Sequence, residues 1–450
     1  MTGSLDIRRR LLRHPVRIVP LGLLAAIAVA TALLMLPAAR AGTGGASFFT
    51  ALFTATSAIC TTGLVITETS EYWTAFGHVI ITLLTQLGGF GIITAALLTA
   101  LLVSQRLGLG GRQAFAESTR FQVGHARTLL AWIALTMLVC EAVIAAFLTA
   151  RLTIAYDYPL GRAAWYGVFH AVQAFNNSGF ALFQGSATNF VGDAWISLPL
   201  TLGVVVGSLG FPVIFELVRH RRRPALWSIH TRLTVWGSLI LLAVGFLSVL
   251  YFERDNPATL GPLAPGTKVL AAFVQGAIPR SGGLQTVDYA AMNEETLAST
   301  TILMFIGGGS ASTAGGIKVT TFFLLAFVIW AELRGEPDVV IGHRRIAGAT
   351  QRRALTIALL SVALVTVATL TLVAETTGLR LHRMLFEAVS AFSTAGLSVG
   401  ITQQLPKAGQ VVLIILMFIG RLGTIVAASA LALHTRIRHY GYPEEQPIVG

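Results

Sequence analysis

Charge is what this sequence has least of. Aspartate, glutamate, lysine and arginine together make up 12% of 450 residues, about half the roughly 25% of an ordinary soluble domain. A chain so poor in charge excludes most soluble enzymes, and its apolar content excludes a disordered architecture. Cysteine is nearly missing: Cys60 and Cys140 are the only two, too few for a disulfide framework. No second His or Cys stands at ligand spacing from His78, His170 or Glu141, which read as packed polar groups rather than metal ligands. Phosphate-binding glycine loops and nucleophile–base constellations are absent too, so no enzyme activity and no organic cofactor is expected.

What the chain has instead is apolar length, with 54% hydrophobic residues. Stretches long enough to cross about 30 Å of hydrocarbon run from Ile18 to Leu36, Phe76 to Ser104, Thr128 to Ala150, Ala194 to Phe215, Leu233 to Phe252, Thr296 to Ile317, Ala354 to Ala374, and from Ala408 past Gly420. These eight spans predict an all-α integral membrane protein. The first exceeds the h-region of a signal peptide, although Arg8, Arg9 and Arg10 precede it. With the N-terminus inside, the inner segments hold 21 of 32 lysines and arginines, and the outer segments 11 of 20 acids. Both termini are therefore expected in the cytoplasm. The net charge of +12 reads as membrane topology, with no nucleic acid as partner. Arg221, Arg222 and Arg223 suit anionic lipid headgroups or a cytoplasmic partner.

Between paired spans lie four shorter segments that begin apolar and end in small polar residues and a glycine. Each has phenylalanine ten positions before that glycine: Phe53 and Gly63, Phe169 and Gly179, Phe273 and Gly283, Phe386 and Gly396. The glycines stand 116, 104 and 113 residues apart, close to a quarter of the chain. Four tandem copies of span, re-entrant segment and span are the expected organisation. The copies cover 1–107, 108–223, 224–340 and 341–450, with re-entrant segments at 48–64, 165–180, 269–284 and 384–397.

Ten helical residues rise about 15 Å, half the hydrocarbon thickness. Each segment can thus dip to mid-membrane as a half-helix and return extended, which is tolerated only where it is buried in protein or lines water. Four such turns around one pseudo-fourfold axis make a lined pore. Their helix C-termini favour a cation. Glycine frees the backbone to aim carbonyl oxygens inward, and Thr62, Ser178, Gly282 and Ala395 before it leave room for neighbouring strands. Carbonyl oxygens without carboxylates suit a monovalent cation better than Ca²⁺ or Mg²⁺. Arg280 would repel cations if it faced the axis, so it is expected to point away or to pair with an acid such as Glu387.

Two further features interrupt the spans. The sixth contains Gly307, Gly308, Gly309, Ser310, Ser312, Thr313, Gly315 and Gly316 within ten residues, and each glycine costs a helix about 1 kcal/mol. Such a segment lines a cavity as a loop, with the hydroxyls of Ser310, Ser312 and Thr313 bonding across it, or serves as a glycine packing seam. Arg421 lies mid-span, where a charge costs about 2.5–3.5 kcal/mol and requires an acceptor or snorkelling. Lys318 belongs either to the loop or to the cytoplasmic interface.

These residues together resemble the Ktr/Trk/HKT superfamily of potassium transporters, most closely the KtrB family of membrane subunits of bacterial Ktr systems. The resemblance runs the whole chain, to the ending Tyr442 to Gly450. It implies a K⁺ selectivity filter made of Cys60, Thr61, Thr62 and Gly63; Asn176, Asn177, Ser178 and Gly179; Arg280, Ser281, Gly282 and Gly283; and Ser393, Thr394, Ala395 and Gly396, with K⁺ held at the four glycines. Glycine at position 63 resembles K⁺-selective members, where some plant relatives with serine favour Na⁺. The third segment, with Pro279, Arg280 and Gly282, departs most from the others. The resemblance also implies that the loop 307–316 and Arg421 form an intramembrane gate below the filter, and that Na⁺ acts as an activating or coupling ion. The implied assembly is a homodimer with Gly450 at its contact, in the bacterial cell membrane, on a KtrA-like cytoplasmic ring of nucleotide-binding regulatory subunits. The rival reading is a secondary transporter of a small solute, which also uses repeats and broken helices. Such repeats are often inverted, whereas all four segments here enter from one side.

Overall fold

A computed structural model describes residues 15–106, 126–376 and 378–433. Gly450, Tyr442 to Gly450 and Arg8 to Arg10 lie outside the described residues. Helices dominate, in an order of long, short, long. The first quarter holds α1 (Pro15–Leu34), α2 (Phe48–Ile59) and α3 (Ala75–Arg106), and the second α4 (Ala126–Tyr156), α5 (Leu160–Phe175), α6 (Ala194–Leu209) and α7 (Phe211–Arg219). Then come α8 (Ile229–Glu253), α9 (Pro265–Ala277), α10 (Glu294–Phe305) and α11 (Val319–Leu333), and finally α12 (Gly348–Glu375), α13 (Leu381–Phe392) and α14 (Lys407–Leu433). Among the described residues, strand is confined to a two-residue antiparallel pair, Val340–Ile341 with Arg344–Arg345, which closes the turn before α12.

The burial pattern is that of a protein in lipid. Leu83, Leu138, Leu247 and Leu359 project outward, 58% to 62% exposed, and hydrocarbon is the solvent that leaves such residues at no cost. The short helices α2, α5, α9 and α13 sit inside. Phe53, Phe169 and Phe386, the phenylalanines ten residues before the glycine, are completely buried. Phe273 of the third quarter is only half-buried, against Phe246.

Two of the eight expected spans are not continuous. The fourth, expected from Ala194 to Phe215, breaks between α6 and α7, whose axes differ by 98°. The break is at Gly210, with φ of +91°, a conformation an L-residue with a side chain seldom adopts. The sixth, expected from Thr296 to Ile317, stops as helix at Phe305 and resumes only at Val319. Ile306 and Ile317 form a parallel bridge at the neck of the intervening loop. Entry signals are local elsewhere: Ser47, Asp193 and Ser228 accept backbone N–H bonds as N-caps of α2, α6 and α8.

Candidate functional site

The site is built at the C-terminal ends of the four short helices. After α2, the Thr61 N–H bonds Ala58 O and the Thr62 N–H bonds Ser57 O. The same pair of bonds follows α5, from Asn177 to Ala174 and Ser178 to Gln173, and α13, from Thr394 to Ala391 and Ala395 to Ser390. This is the Schellman arrangement, which turns a chain sharply out of a helix through one left-handed residue. That residue is Thr61, Asn177 and Thr394, at φ of +49°, +56° and +47°. Glycine is the usual occupant, so the turns themselves are made by residues with side chains, two positions before the glycines. The third turn differs for a covalent reason. Pro279 leads a 3₁₀ turn over Ile278–Arg280, Gly282 N–H bonds Ile278 O, and Ser281 carries the positive φ, +97°.

The four glycines meet. A methyl carbon placed on Gly63 would lie 2.1 Å from the Gly179 nitrogen; on Gly179, 2.8 Å from the Gly283 Cα; on Gly283, 3.1 Å from the Ala395 oxygen; and on Gly396, 1.9 Å from the Thr62 oxygen. Residues from four quarters of the chain therefore stand backbone to backbone around one centre, with no space for a side chain at any of the four glycines, since a methyl carbon on Gly283 would also lie 2.3 Å from the Gly179 Cα. Gly63, Gly283 and Gly396 have positive φ, two residues after another positive φ, a conformation that glycine adopts without steric cost. The hydroxyls of Thr61, Thr62, Ser178, Ser393 and Thr394 are buried without a partner among the described residues. The centre therefore offers oxygen ligands and no carboxylate, a donor set that fits a monovalent cation as cargo. Outside it opens a cavity of about 340 Å³, whose lining includes all four glycines with Glu68 and Asp288.

Arg280 is buried and leaves this centre. Its guanidinium donates to the carbonyl and hydroxyl of Ser238 on α8, at 3.1 and 2.9 Å. The expected alternative partner, Glu387, is engaged otherwise: it accepts from the hydroxyls of Ser398 and Thr402 and the N–H of Val399. Pairing of Arg280 with Glu387 is thus corrected, because the strand returning from α13 fills the carboxylate's acceptor sites first. His170, at the matching register of α5, does the same for its own strand, accepting from the Leu182 N–H at 3.1 Å while its other ring nitrogen bonds the Tyr166 carbonyl. The sequence places both polar residues one position after the marker phenylalanine, which was the available signal for this role.

Beneath the glycines lies the segment 306–318, largely buried. It is held by backbone bonds to the broken fourth span: Gly309 N–H to Ser208 O at 2.7 Å, Thr313 N–H to Gly207 O, and Phe211 N–H to Ala311 O. A methyl carbon on Gly315 would meet the Thr394 hydroxyl and the Ser393 carbonyl at 2.3 and 2.4 Å, so the loop touches the turn directly. Ser281 bridges them, donating to Thr394 O and accepting from the Gly315 N–H. Of the three hydroxyls expected to bond across the pore, only Thr313 reaches another quarter, at Phe175 O and Gly207 O, beside Asn177 at 2.7 Å. Ser312 bonds Gly309 O within the loop, and Ser310 meets Thr320 just after it, because the tight backbone turn keeps these side chains local.

Arg421 of α14 is 3% exposed and donates to the Thr313 carbonyl of the loop, with a longer bond to Gly88 O of α3. Snorkelling is excluded by that burial. Lys318 donates to the adjacent loop carbonyl, Ala314 O, at 2.6 Å, so consecutive loop carbonyls are held by two cationic side chains. The last carbonyl of three short helices also meets a glycine on the following long helix, a contact that no motif along the chain signals. Methyl carbons on Gly88, Gly207 and Gly420 would lie 2.0, 2.0 and 1.8 Å from the oxygens of Ile59, Phe175 and Phe392. Asn176, at the end of α5, turns its side chain away from the glycine centre, to Gln86 and Glu141.

The family described as TrkH, cation transport protein, matches residues 28–435. The chain is 36% identical to the Ktr system potassium uptake protein B of Bacillus subtilis (strain 168), over 97% of each chain. It is also 36% identical to the protein of the same name from Vibrio alginolyticus, over 96% of this chain and 94% of the relative. Identity to the potassium/sodium uptake protein NtpJ of Enterococcus hirae is 31%, over 99% and 98%. The crystal structure of the potassium transporter TrkH from Vibrio parahaemolyticus superposes with a TM-score of 0.70 at 20% identity, covering 92% of this chain and 84% of that one, and so shares the fold.

Proposed function

The chain belongs to the TrkH family of cation transport proteins, and on that premise we propose that it takes up K⁺ across the cell membrane through the four glycine turns. The observation that carries the proposal is the backbone contact among Gly63, Gly179, Gly283 and Gly396 around one centre. A cation entering from the outer cavity exchanges hydration water for the carbonyl oxygens of the four strands. The half-helices direct their negative ends at it. Membrane potential supplies about 2.3 kcal/mol per charge per 100 mV for inward movement. The relative named for potassium and sodium supports a second role for Na⁺, as an activating or coupling ion.

The loop 307–316 is the gate in this reading. It lies against Ser281, Ser393 and Thr394 directly under the glycines, and Arg421 holds its Thr313 carbonyl. A guanidinium at that place opposes a passing cation, so conduction requires loop and arginine to move together. The four repeats bounded at 107, 223 and 340, a homodimer, and a cytoplasmic nucleotide-binding subunit complete the proposal. The last is supported by the naming of two relatives as parts of Ktr systems and by the exposed Arg221, Arg222 and Arg223.

The test is rubidium and sodium uptake after complementing a bacterium that lacks its own K⁺ uptake. Wild type restores growth at low K⁺, and Gly63→Ser lowers the preference for Rb⁺ over Na⁺. A side chain cannot enter at Gly63 without moving Gly179. Unchanged preference in a folded Gly63→Ser protein removes this glycine from the filter.

A further inference from the structure

Glu141 lies on α4, 6% exposed, and among the described residues no lysine or arginine pairs with it. An acid kept at membrane depth without a cation is costly, which makes it a functional candidate. Both carboxyl oxygens are taken by amides. Oε2 accepts from Gln86 Nε2 at 3.2 Å, and Oε1 from Asn176 Nδ2 at 3.1 Å. Asn176 also donates to Gln86 Oε1 at 2.7 Å and to Val172 O at 3.0 Å. Three side chains from α3, α4 and the end of α5 thus close a ring of hydrogen bonds.

The ring grips one particular point. Asn176 is the C-cap of α5, immediately before the left-handed Asn177, which Ser178 and Gly179 follow. It is also confined from behind, since a methyl carbon on Gly89 would lie 1.8 Å from Asn176 Oδ1. At the corresponding end of α13, Ser393 has a hydroxyl without a partner among the described residues, so the ring is particular to the second turn. Gly179 stands between Gly63 and Gly283 in the glycine contact. A displacement of the second strand is therefore passed to its neighbours and alters the oxygen cage that discriminates ions by size and field strength.

We propose that Glu141 is a positioning residue for ion selectivity: by holding Asn176 against Gln86 it sets where the Asn177 to Gly179 strand stands at the centre. The inference rests on the filter reading given above. Its physical content is a donor–acceptor match. An amide in place of the carboxyl group puts an NH₂ against one of two NH₂ donors, and a carboxylate in place of Asn176 puts two acids together. Exchanging both restores one donor facing one acceptor between positions 141 and 176, with the Gln86 amide turned over so that its NH₂ faces the new carboxylate, while the Val172 carbonyl loses its donor.

The experiment measures Rb⁺ and Na⁺ uptake by purified full-length protein in liposomes for Glu141→Gln, Asn176→Asp and the double variant. Each single substitution is expected to lower Rb⁺ over Na⁺ preference about tenfold, the size of coupling within one hydrogen-bond network, and the double variant to recover most of it. A purely structural role would reduce the amount of folded protein without moving the ratio. Gln86→Met, which removes a ring member and no charge, is expected to lower the ratio by a smaller factor and serves if the other single variants do not fold. Wild-type ratios in these variants overturn the inference, as does a double variant no better than the singles. If Gly63→Ser lowers the ratio while they do not, only the role of Glu141 fails; if Gly63→Ser leaves it unchanged, the filter reading fails with it.

Discussion

Thr61, Asn177 and Thr394 carry full side chains in left-handed backbone, a conformation that costs a residue with a Cβ about 1–2 kcal/mol. The cost is met by the two backbone bonds of each turn and by complete burial, and it places a hydroxyl or amide where glycine would leave none. Glycine is kept for positions where backbone meets backbone. Gly420 shows the difference, since a methyl carbon there would lie 1.8 Å from the Phe392 oxygen, whereas Gly22 has nothing within 4 Å. Gly420→Ala is expected to destabilise the protein by about 1–3 kcal/mol or more through overpacking, and Gly22→Ala to be harmless. Thermal unfolding of the detergent-solubilised protein, followed by tryptophan fluorescence, separates the two. Equal melting temperatures for both variants would mean that α14 can slide off the end of α13.

Two elements that look like faults in a helical bundle fit each other. The 98° break at Gly210 exposes the carbonyls of Gly207 and Ser208, and the loop after α10 supplies the N–H groups of Thr313 and Gly309 that satisfy them. The loop in turn offers Ala311 O to the Phe211 N–H at the start of α7. Neither irregular segment has its backbone paired alone, and together they avoid the cost of unpaired peptide groups inside a membrane. Shortening the loop by removing Gly308 to Ser312 takes away the Gly309 N–H and the Ala311 carbonyl and leaves too short a chain to hold Gly315 under the glycines. Maximal Rb⁺ influx is expected to rise several-fold in the liposome assay. Unaltered influx in a folded deletion variant would identify the loop as a packing seam.

For the molecule as a whole, the excess of lysine and arginine in alternate connecting segments predicts the orientation. Arg222, in the exposed turn after α7, is expected inside, and Asp255, in the exposed turn after α8, outside. Single cysteines at these places, in a background lacking Cys60 and Cys140, check this with a membrane-impermeant maleimide on intact cells. Asp255→Cys is expected to label directly and Arg222→Cys only after permeabilisation. The opposite result would invert the uptake direction argued here. Lipid-facing leucines such as Leu138 and Leu359 agree with a single bundle sharing one interior, in which the C-terminal halves of the four short helices are buried.

Hydropathy and the Phe-to-Gly spacing are properties of neighbouring residues, and for that reason the long apolar helices and the short helices that end in a turn before each glycine were legible along the chain. The glycine-rich break after Phe305 was legible too, because ten residues of that composition cannot stay helical. The break at Gly210 was not, since one glycine in an apolar run is common and only the loop from 100 residues later makes it a bend. The partners of the buried polar groups were equally hidden: Arg421 meets Thr313 across 108 positions and Asn176 meets Gln86 across 90. Local sequence determined that the chain would turn out of a short helix ahead of a glycine at four places. Which side chains hold those turns was decided only when the quarters packed, because a buried donor takes whatever acceptor the fold brings within reach.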